Sequence, residues 1–398
     1  MKILFISTSI PPCTDMQTTR NIYLIKSLIE SGNEVEVLTC GEYQPGQSSF
    51  DFLLNKIPIY RTRLPLIYRW HMFAQKVLKH SPFLKLHNVL INYYAKPDLY
   101  TGWDKVALQE IRKNRLWTYD AVITSSGSYT AHIVGKIWRE TCGKKWIAEY
   151  GDPWGIDAQG NVNPVYFEKE KALLKNCNGL VFTTQATVKA YQRNYDLDVP
   201  YCLVPCGYGE IIEDQKANRR KGKELLFTYT GVAYKKARNL EPFLTASENC
   251  ENVFVRVVGS YSEDFKKSFK EKKRIEFTGR VKYQDSLDML SESDALVHIG
   301  NFGSLQIPGK TYIYLSTQKP ILYIQQEETN DPTYEVLSDF EGIVFCKNNT
   351  GDIERAIQYM AEHFDDLKKQ SIHRTKSEKM KKYQWGNLGK VFTEFVMK

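Results

Sequence analysis

The chain has 398 residues, a formal net charge of +8, and a composition that is 42% hydrophobic and 25% charged. These values exclude an intrinsically disordered chain, and at this length they predict two domains rather than one. No apolar run approaches the roughly 18 residues of a membrane-spanning helix, and the eight cysteines contain no CxxC pair of the kind found in zinc sites. We therefore expect a folded protein of the cytoplasm.

The N-terminal residues predict a strand, a helix and a second strand. Lys2–Thr8 is apolar enough for a buried strand, and apolar side chains recur at helical spacing over Thr19–Ser31. Gly32 ends this helix before the strand EVEVLT. Because the intervening loop lacks the GxGxxG motif of dinucleotide-binding domains, a dehydrogenase is not expected.

The segment 56–96 differs from the rest of the chain in its charge. It carries eight lysine and arginine residues and no acidic residue, interleaved with aromatic side chains such as Trp70, Phe73 and Phe83. A basic, aromatic, helix-compatible surface is what a peripheral protein presents to anionic lipid headgroups. The alternative is a solvated helix pair with an ordinary aromatic core. No nucleic-acid partner is expected, because the sequence shows no recognition helix, zinc spacing or RNA-binding signature.

Polar side chains follow two predicted strands in the first half of the chain. Ser125 and Ser126 end the strand DAVITSS, and Asp152 follows the strand KWIAEY in the loop Gly151–Gly155. In open parallel sheets, ligands bind at the carboxyl ends of the strands, which makes Asp152 a candidate active-site residue. Capping of a turn is the alternative role for Asp152, and capping of the next helix is the alternative for the two serines.

A polar run at 213–224 predicts a linker between two domains. The second domain then begins with the strand LLFTYTG, whose final Gly231 lets a ligand approach the backbone closely. Three cations, Lys235, Lys236 and Arg238, follow this strand end. Cations in surface loops are often merely solvated, but their place at a strand end favours a ligand contact.

The stretch 301–324 predicts a phosphate site. It follows the strand pattern DALVHI and is expected to form a loop, a helix and another strand. We expect the helix to begin at Ile307 and Pro308, with Lys310 one turn inside it, and to end before Lys319-Pro320. The helix dipole, the lysine and the N–H groups of the loop together predict a cradle for a diphosphate. The small and polar loop residues are Gly300, Asn301, Gly303, Ser304 and Gln306. A strand–loop–helix unit with one lysine also occurs in parallel α/β domains without such a site.

The run IPGKTYIYLSTQKPIL resembles the donor-site segment of family 4 retaining glycosyltransferases, where Pro-Ser-Lys or Pro-Gly-Lys opens the helix and Lys-Pro ends it. The N-terminal run MKILFISTSIPP resembles the start of these enzymes, and VPCGYGE is similar to their VPNGYD segment. The spacing of PD, GW, YDAVITSS and GKKWIAEYGDPW resembles one branch of the family, which carries a Gly-Asp-Pro-Trp loop and is associated with bacterial surface polysaccharide synthesis.

The resemblance implies the α/β architecture called GT-B, in which two Rossmann-like domains face each other across a cleft. It implies an acceptor-side domain at 1–209 that includes the basic insert 56–96. It further implies a nucleotide-sugar-binding domain at 210–380 and a terminal helix at 381–398 that packs back on the first domain.

The resemblance also implies roles for single residues. Arg238 and Lys310 would hold the donor diphosphate, with Lys236 replacing Arg238 if the alignment shifts by one residue. Asp152 would orient the acceptor or the sugar. The backbone at Arg280 and Val281 would meet the nucleotide base. The remaining donor-site positions are Gly231, Ser304, Gln306, Ile307, Pro308 and Gly309. The resemblance implies neither a metal nor a cofactor, and it favours a UDP-sugar as the donor substrate.

Two positions depart from the family pattern. Many family 4 enzymes carry two glutamates eight residues apart, the second of which binds the ribose of the nucleotide. Aligned on Lys319-Pro320, these positions fall on Leu305 and Ile313. The ribose hydroxyls would then need another partner, such as Gln306 or a backbone group.

The function that these features predict is transfer of a sugar, with retention, from a nucleotide diphosphate-sugar to a hydroxyl acceptor. The acceptor would be a lipid-linked or polysaccharide glycan, and the protein would act at the inner face of the cell membrane. Two alternatives stay open. One is a nucleotide-sugar 2-epimerase, which would need acid and base carboxylates near the sugar. The other is a non-catalytic GT-B subunit that binds a partner or the membrane.

Overall fold

The computed structural model describes residues 1–44, 48–79, 81–214, 224–233, 238–269, 271–303, 305–326 and 331–398. The chain divides into two compact units. The first comprises Met1–Asp157, Asn161–Pro205 and Leu388–Lys398, and the second comprises Ala158–Gly160 and Cys206–Asn387. Most of the predicted linker at 213–224 lies outside the described residues, as do Lys235, Lys236 and Ser304.

The first unit contains a seven-stranded sheet in which every neighbouring pair is parallel. Its strands are β1 (Lys2–Ile6), β2 (Glu34–Cys40), β3 (Ile59–Thr62), β4 (Ala121–Ser125), β5 (Lys145–Tyr150), β6 (Gly179–Phe182) and β7 (Tyr201–Leu203). They lie in the order β3-β2-β1-β4-β5-β6-β7. The strand order therefore reverses between β1 and β4.

Helices connect these strands. They are α1 (Met16–Glu30), α2 (Asp51–Leu54), α3 (Leu66–Val77), α4 (Phe83–Tyr94), α5 (Trp103–Lys113), α6 (Tyr129–Cys142), α7 (Pro164–Leu174) and α8 (Gln185–Tyr195), with a 3₁₀ turn at Leu116–Thr118. The first helix begins at Met16 rather than at Thr19, because the Asp15 carboxylate accepts the backbone N–H of Thr18 at 2.6 Å and caps the helix there.

The second unit contains a six-stranded sheet, again parallel throughout. Its strands are β8 (Leu225–Val232), β9 (Val253–Ser260), β10 (Ile275–Gly279), β11 (Ala295–Ile299), β12 (Ile321–Gln325) and β13 (Ile343–Lys347). Their order is β10-β9-β8-β11-β12-β13, so the direction of winding reverses between β8 and β11. Because β11 is buried at every position, its apolar side chains contribute to the core together with Phe243, Leu244 and Val255.

The helices of the second unit include several short ones. They are α9 (Glu241–Asn249), α10 (Glu263–Ser268), α11 (Tyr283–Glu292), α12 (Lys310–Leu315), α13 (Pro332–Leu337), α14 (Thr350–Glu362), α15 (Phe364–Lys376), α16 (Glu378–Lys381) and α17 (Trp385–Met397). The helices α14 and α15 meet at His363, which ends α14 and precedes α15.

The last residues of α17 belong to the first unit. The Thr393 hydroxyl lies 3.1 Å from that of Ser27, and the Lys145 ammonium donates to the Val396 carbonyl at 2.7 Å. Phe392 and Val396 are buried, whereas Val391 is exposed. None of the helices in the described residues is both long and apolar enough to cross a membrane.

Candidate functional site

Lys310 is the first residue of α12 and points toward the carboxyl end of β8. Its Nζ donates to the Thr230 carbonyl at 3.1 Å and lies 4.1 Å from the ring centroid of Tyr229. The hydroxyl of Tyr314, one turn further along α12, accepts a hydrogen bond from the Thr230 N–H at 2.8 Å. It also shares a hydrogen bond with the Thr230 hydroxyl, in which either group can be the donor. The ammonium group is thus fixed at the point where the strand order of the second sheet reverses, which is where ligands bind in sheets of this kind.

Arg238 brings a second positive charge to this site. Its Nε donates to the Asn301 side-chain oxygen at 2.8 Å, and Asn301 follows β11, the strand next to β8. Burial, and then the positive charge of Arg238, holds the pKa of the Lys310 ammonium well below its ordinary value. No carboxylate among the described residues forms an ion pair with either cation. Two cations held near each other without a counter-charge form a site for an anion.

His298 on β11 lies behind these cations and was not singled out from the sequence. It is fully buried, and its Nε2 lies 2.8 Å from the Thr311 hydroxyl. Burial, followed by the charges of Lys310 and Arg238, holds the pKa of His298 well below its ordinary value. The ring is therefore neutral and adds no third charge. The signal that could have identified His298 is a histidine inside the otherwise apolar strand pattern DALVHI.

The helix of the predicted cradle begins later than expected. It starts at Lys310 rather than at Ile307 and Pro308, because the Pro308 carbonyl accepts the Thr311 N–H in a turn that precedes it. Lys310 is consequently the first helical residue and not one turn inside. Two N–H groups of the loop are also occupied: Gly300 donates to Ile324, and Leu305 donates to Ala158. Binding of an anion in this cradle would therefore depend on the side chains of Lys310 and Arg238 more than on the N–H groups of the loop.

The loop residues Gln306, Ile307, Pro308 and Gly309 are half-buried and lie between β11 and Lys310. Leu305 and Ile313, the positions where family glutamates were expected, are buried apolar side chains.

The carboxylate of Asp331, at the start of α13, lies near Gly300. Its oxygens accept from the Tyr323 hydroxyl and from two backbone N–H groups of α13, so it is already engaged in capping.

Two glycines shape the end of β8 and β9. Gly231 and its partner in the next strand, Gly259, both have φ near +130°, a conformation that disfavours a side chain. A Cβ on Gly259 would lie 2.0 Å from the Gly231 carbonyl oxygen, and one on Gly231 would lie 3.8 Å from the Lys310 Nζ. The backbone at Gly231 therefore passes close to the Lys310 ammonium group.

Arg280 and Val281 follow β10, two strands from β8 in the sheet order. Arg280 is exposed, and its Nε donates to the Ser260 hydroxyl at 2.5 Å at the end of β9. Val281 is half-buried. Arg280 and Val281 lie at the same carboxyl edge of the sheet as Lys310 and Arg238. Among the described residues, no contact connects them to Lys310.

Asp152 lies in the loop after β5, in the first unit, with its side chain exposed. The preceding Gly151 donates its N–H to the Ser126 hydroxyl at 2.8 Å, so Ser126 holds the loop. Burial, followed by the charge of Asp152, raises the pKa of Tyr129. The loop is further fixed by Tyr129, which donates to the Pro153 carbonyl at 2.6 Å and stacks on Trp154 with ring centroids 5.0 Å apart.

A buried polar network lies under this loop, where the strand order reverses between β1 and β4. Glu149 accepts from Arg20 Nε at 2.7 Å and from Gln17 Nε2 at 2.7 Å, and both ionic side chains are at most 1% exposed. Ser125 donates to Asn21 at 2.6 Å and accepts from Gln17 at 2.8 Å. Ser125 is therefore committed to the network and does not cap α6, whose N-terminal Thr130 N–H is accepted by Asp98.

Glu170 on α7 is a second buried carboxylate that sequence reasoning missed. It accepts from the hydroxyls of Tyr191 and Tyr195 and, at 2.7 Å, from the N–H of Gly155 at the end of the Gly151–Gly155 loop. Burial raises its pKa. These hydrogen bonds give Glu170 a role in holding the loop that carries Asp152. The described residues contain no group of three or more His, Cys, Asp or Glu side chains arranged to hold a metal ion.

The two parallel sheets, each with flanking helices, give the chain the GT-B fold predicted from its sequence. The structure is similar to HepE from Anabaena in complex with UDP and glucose, with a TM-score of 0.70 and 12% identity over 100% of this chain and 99% of that chain. It is also similar to the lipopolysaccharide outer core galactosyltransferase WaaB, with a TM-score of 0.58 and 11% identity over the whole of both chains. A UDP-N-acetylglucosamine 2-epimerase matches with a TM-score of 0.60 and 13% identity over 100% of this chain and 97% of that one. No family model matches the sequence, and no curated protein does.

Proposed function

We propose that the protein is a glycosyltransferase that moves a sugar from a nucleotide diphosphate-sugar to a hydroxyl acceptor. The observation that carries this proposal is the pair of cations, Lys310 and Arg238, at the reversal point of the second sheet. Burial, and then the charge of Arg238, lowers the pKa of Lys310. No carboxylate of the described residues pairs with these cations, and a bound diphosphate would supply the negative charge. HepE, a protein of the same fold, was solved with UDP, which supports a uridine nucleotide as the donor.

The cations also fit the chemistry of the transfer. As the glycosidic bond to the diphosphate breaks, the sugar gains oxocarbenium character and the departing phosphate gains negative charge. Lys310 and Arg238 stabilise that charge as it develops, which lowers the barrier. The acceptor proton passes to the departing phosphate, and Asp152 orients the acceptor or the sugar. We propose that the transfer retains the anomeric configuration and needs no metal ion.

The proposed acceptor is a lipid-linked or polysaccharide glycan, and the proposed setting is surface polysaccharide synthesis at the inner face of the cell membrane. The likeness to WaaB, a lipopolysaccharide galactosyltransferase, supports this setting. The Gly-Asp-Pro-Trp loop supports the same setting. This loop and the buried polar network beneath it would position Asp152 to contact an acceptor.

A 2-epimerase is the second candidate, because a protein of that activity shares the fold. The described residues favour the transferase over it. An epimerase needs a carboxylate free to exchange protons near the sugar, and Asp331, the carboxylate beside Gly300, accepts hydrogen bonds from Tyr323 and from its own helix. Leu305 and Ile313 supply no replacement.

The test is calorimetric titration of UDP into the full chain and into two lysine variants. Lys310→Met should weaken UDP binding roughly 30-fold or more, since it removes a partly buried charge that pairs with phosphate. Lys266→Met is the matched control, because Lys266 is an exposed lysine of the same unit, and it should leave the affinity unchanged. Equal affinities for all three proteins would contradict the assignment.

Activity assays separate the candidate functions. A transferase should release UDP from a UDP-sugar faster when an acceptor glycan is present. An epimerase should convert UDP-N-acetylglucosamine without any acceptor. A non-catalytic subunit should bind UDP or a partner but neither hydrolyse nor transfer. Screening a panel of nucleotide sugars by thermal shift identifies the donor for these assays.

A further inference from the structure

The helices α3 and α4 form a hairpin that differs from an ordinary helix pair in water, because polar side chains contact each other between its helices. The contact between them is polar: the rings of His71 and His87 stack with centroids 5.4 Å apart, and Gln75 donates to Asn88 at 2.8 Å. Helix pairs in soluble proteins place apolar residues between the helices and polar residues outside. This hairpin places histidine and amide side chains between its helices in addition to the buried Ala74 and Ile91.

The solvent-exposed surface of the hairpin, including the open groove between its helices, carries large apolar side chains. Trp70 and Phe73 on α3 are 59% and 60% exposed, and Phe83 and Val89 on α4 are 65% and 66% exposed. A groove of about 520 Å³ runs between the two helices and is lined by side chains that include Trp70, Phe83 and Leu90. Contiguous exposed apolar surface of this kind marks a binding surface for a protein or a membrane.

The charge of the hairpin decides between these partners. Arg69, Lys76 and Lys85 are exposed among the apolar residues, and the sequence has no Asp or Glu from 52 to 97. A second copy of the same face would bring like charges together at the interface. An anionic lipid surface, by contrast, offers phosphate groups for the cations and hydrocarbon for the aromatic and aliphatic side chains.

We propose that the α3–α4 hairpin inserts into the headgroup region of an anionic bilayer and that the groove between the helices takes a hydrocarbon chain of an anionic phospholipid. The exposed apolar side chains enter the boundary between headgroups and acyl chains, and the cations contact lipid phosphates. The hairpin belongs to the first unit, so this binding is independent of UDP binding in the second.

The first experiment measures co-sedimentation of the full chain with vesicles of phosphatidylglycerol or of phosphatidylcholine. The protein should bind the anionic vesicles and bind the zwitterionic ones far more weakly. The triple variant Arg69→Gln/Lys76→Gln/Lys85→Gln should reduce binding to anionic vesicles roughly a hundredfold. The matched control is Lys169→Gln/Lys189→Gln/Arg193→Gln, which removes the same charge from exposed positions of the same unit and should bind almost as the unaltered protein does. Equal losses in the two variants would overturn the proposal.

The second experiment tests the groove. Trp70 lines the groove, and phosphatidylglycerol with brominated acyl chains should quench its fluorescence. The quenching should disappear in Trp70→Phe and remain in Trp385→Phe, since Trp385 is buried elsewhere. Absence of quenching would overturn the groove assignment.

A second copy of the chain is the alternative occupant of this face. If the protein binds no vesicles and instead forms a dimer in solution that Phe83→Ser dissociates, the face belongs to a second copy. UDP affinity should be unchanged in every hairpin variant, which separates a failure here from a failure of the proposed activity.

Discussion

The ammonium group of Lys310 lies 4.1 Å from the ring centroid of Tyr229 and donates to a backbone carbonyl, that of Thr230, rather than to a carboxylate. A π face and a carbonyl partly compensate for lost water, but they do not neutralise the charge. The lowered pKa of Lys310 is the consequence. An anion that arrives at this site therefore gains more from Lys310 than it would from a solvated lysine.

The lowered pKa of Lys310 predicts that UDP binding takes up a proton at pH values above that lowered pKa. The diphosphate stabilises the charged amine, so the pKa of Lys310 is higher in the complex than in the free protein. UDP affinity should fall as the pH rises through the lowered pKa of the free protein. Titrations in two buffers of different ionisation enthalpy, above the phosphate pKa of about 6, measure the uptake. Lys310→Arg is the control, because arginine keeps its charge and should abolish the uptake from this residue.

A carboxylate introduced beside Arg238 should weaken donor binding. Asn301 accepts from Arg238 Nε at 2.8 Å, and Asn301→Asp would keep this contact while adding a negative charge. We expect UDP affinity to fall roughly tenfold or more, because the new charge neutralises Arg238 and repels the diphosphate. Asn252→Asp, at an exposed position of the same unit, is the control. Unchanged affinity in Asn301→Asp would remove Arg238 from the donor site.

A methyl group on Gly259 should disturb the site from the neighbouring strand. Its Cβ would lie 2.0 Å from the Gly231 carbonyl oxygen, at a backbone φ of +130°. Gly259→Ala should therefore lower the free energy of unfolding by about 1–3 kcal/mol and also weaken UDP binding, as the end of β8 shifts beside Lys310. Gly351→Ala is the control, since no atom lies within 3.4 Å of its Cβ and its residue is in a helix. Chemical denaturation and UDP titration measure both effects.

The buried pair of Arg20 and Glu149 should show strong coupling. Arg20→Met leaves a buried carboxylate without its cation and should cost about 3–5 kcal/mol of unfolding free energy. In Arg20→Met/Glu149→Gln no charge remains, so the double variant should lose less than the sum of the two single variants. A double-mutant cycle from urea unfolding measures this difference. Additive losses would show that the two groups do not stabilise each other.

The buried His132 on α6 predicts a loss of stability in acid. Burial lowers its pKa to about 3, against roughly 6.5 for a histidine in an unfolded chain. Between these values the unfolded state takes up a proton that the folded state does not, so stability falls as the pH drops from 6.5 toward 3. This residue alone contributes a slope of about 1.4 kcal/mol per pH unit. The variant His132→Phe keeps an aromatic ring against Tyr150. It should take up about one proton fewer on unfolding in this pH range, which makes the slope of unfolding free energy against pH shallower.

The fold could be predicted because the sequence pattern that indicates it is local in the chain. Short apolar runs alternate with helical periodicity, and that alternation specifies parallel sheets whatever the details of packing. The residue pairs that hold the sites are long-range, and local patterns do not reveal them. Arg20 and Glu149 are 129 positions apart, and His71 and His87 become neighbours only when two helices fold together. A signal was nevertheless present for Glu149, since a carboxylate inside the buried strand KWIAEY requires a partner.

The start of α12 shows a second limit of sequence reasoning. Proline fits a first helical turn and also fits a turn that precedes a helix, and residue preference does not separate the two. The hydrogen bond from Thr311 N–H to the Pro308 carbonyl places this proline in the turn. Lys310 and Arg238 lie near each other because they follow β11 and β8, which are neighbouring parallel strands.

The contacts of Thr393 with Ser27 and of Val396 with Lys145 have a consequence for biosynthesis. The helix segment that completes the first unit, Leu388–Lys398, follows the second unit in the chain and so leaves the ribosome after it. The N-terminal sheet can form during translation, but it gains its final packing only after the entire second unit has been made. Expression of residues 1–205 alone should therefore give an incompletely packed product, which a synthetic peptide of residues 388–398 added in trans would stabilise.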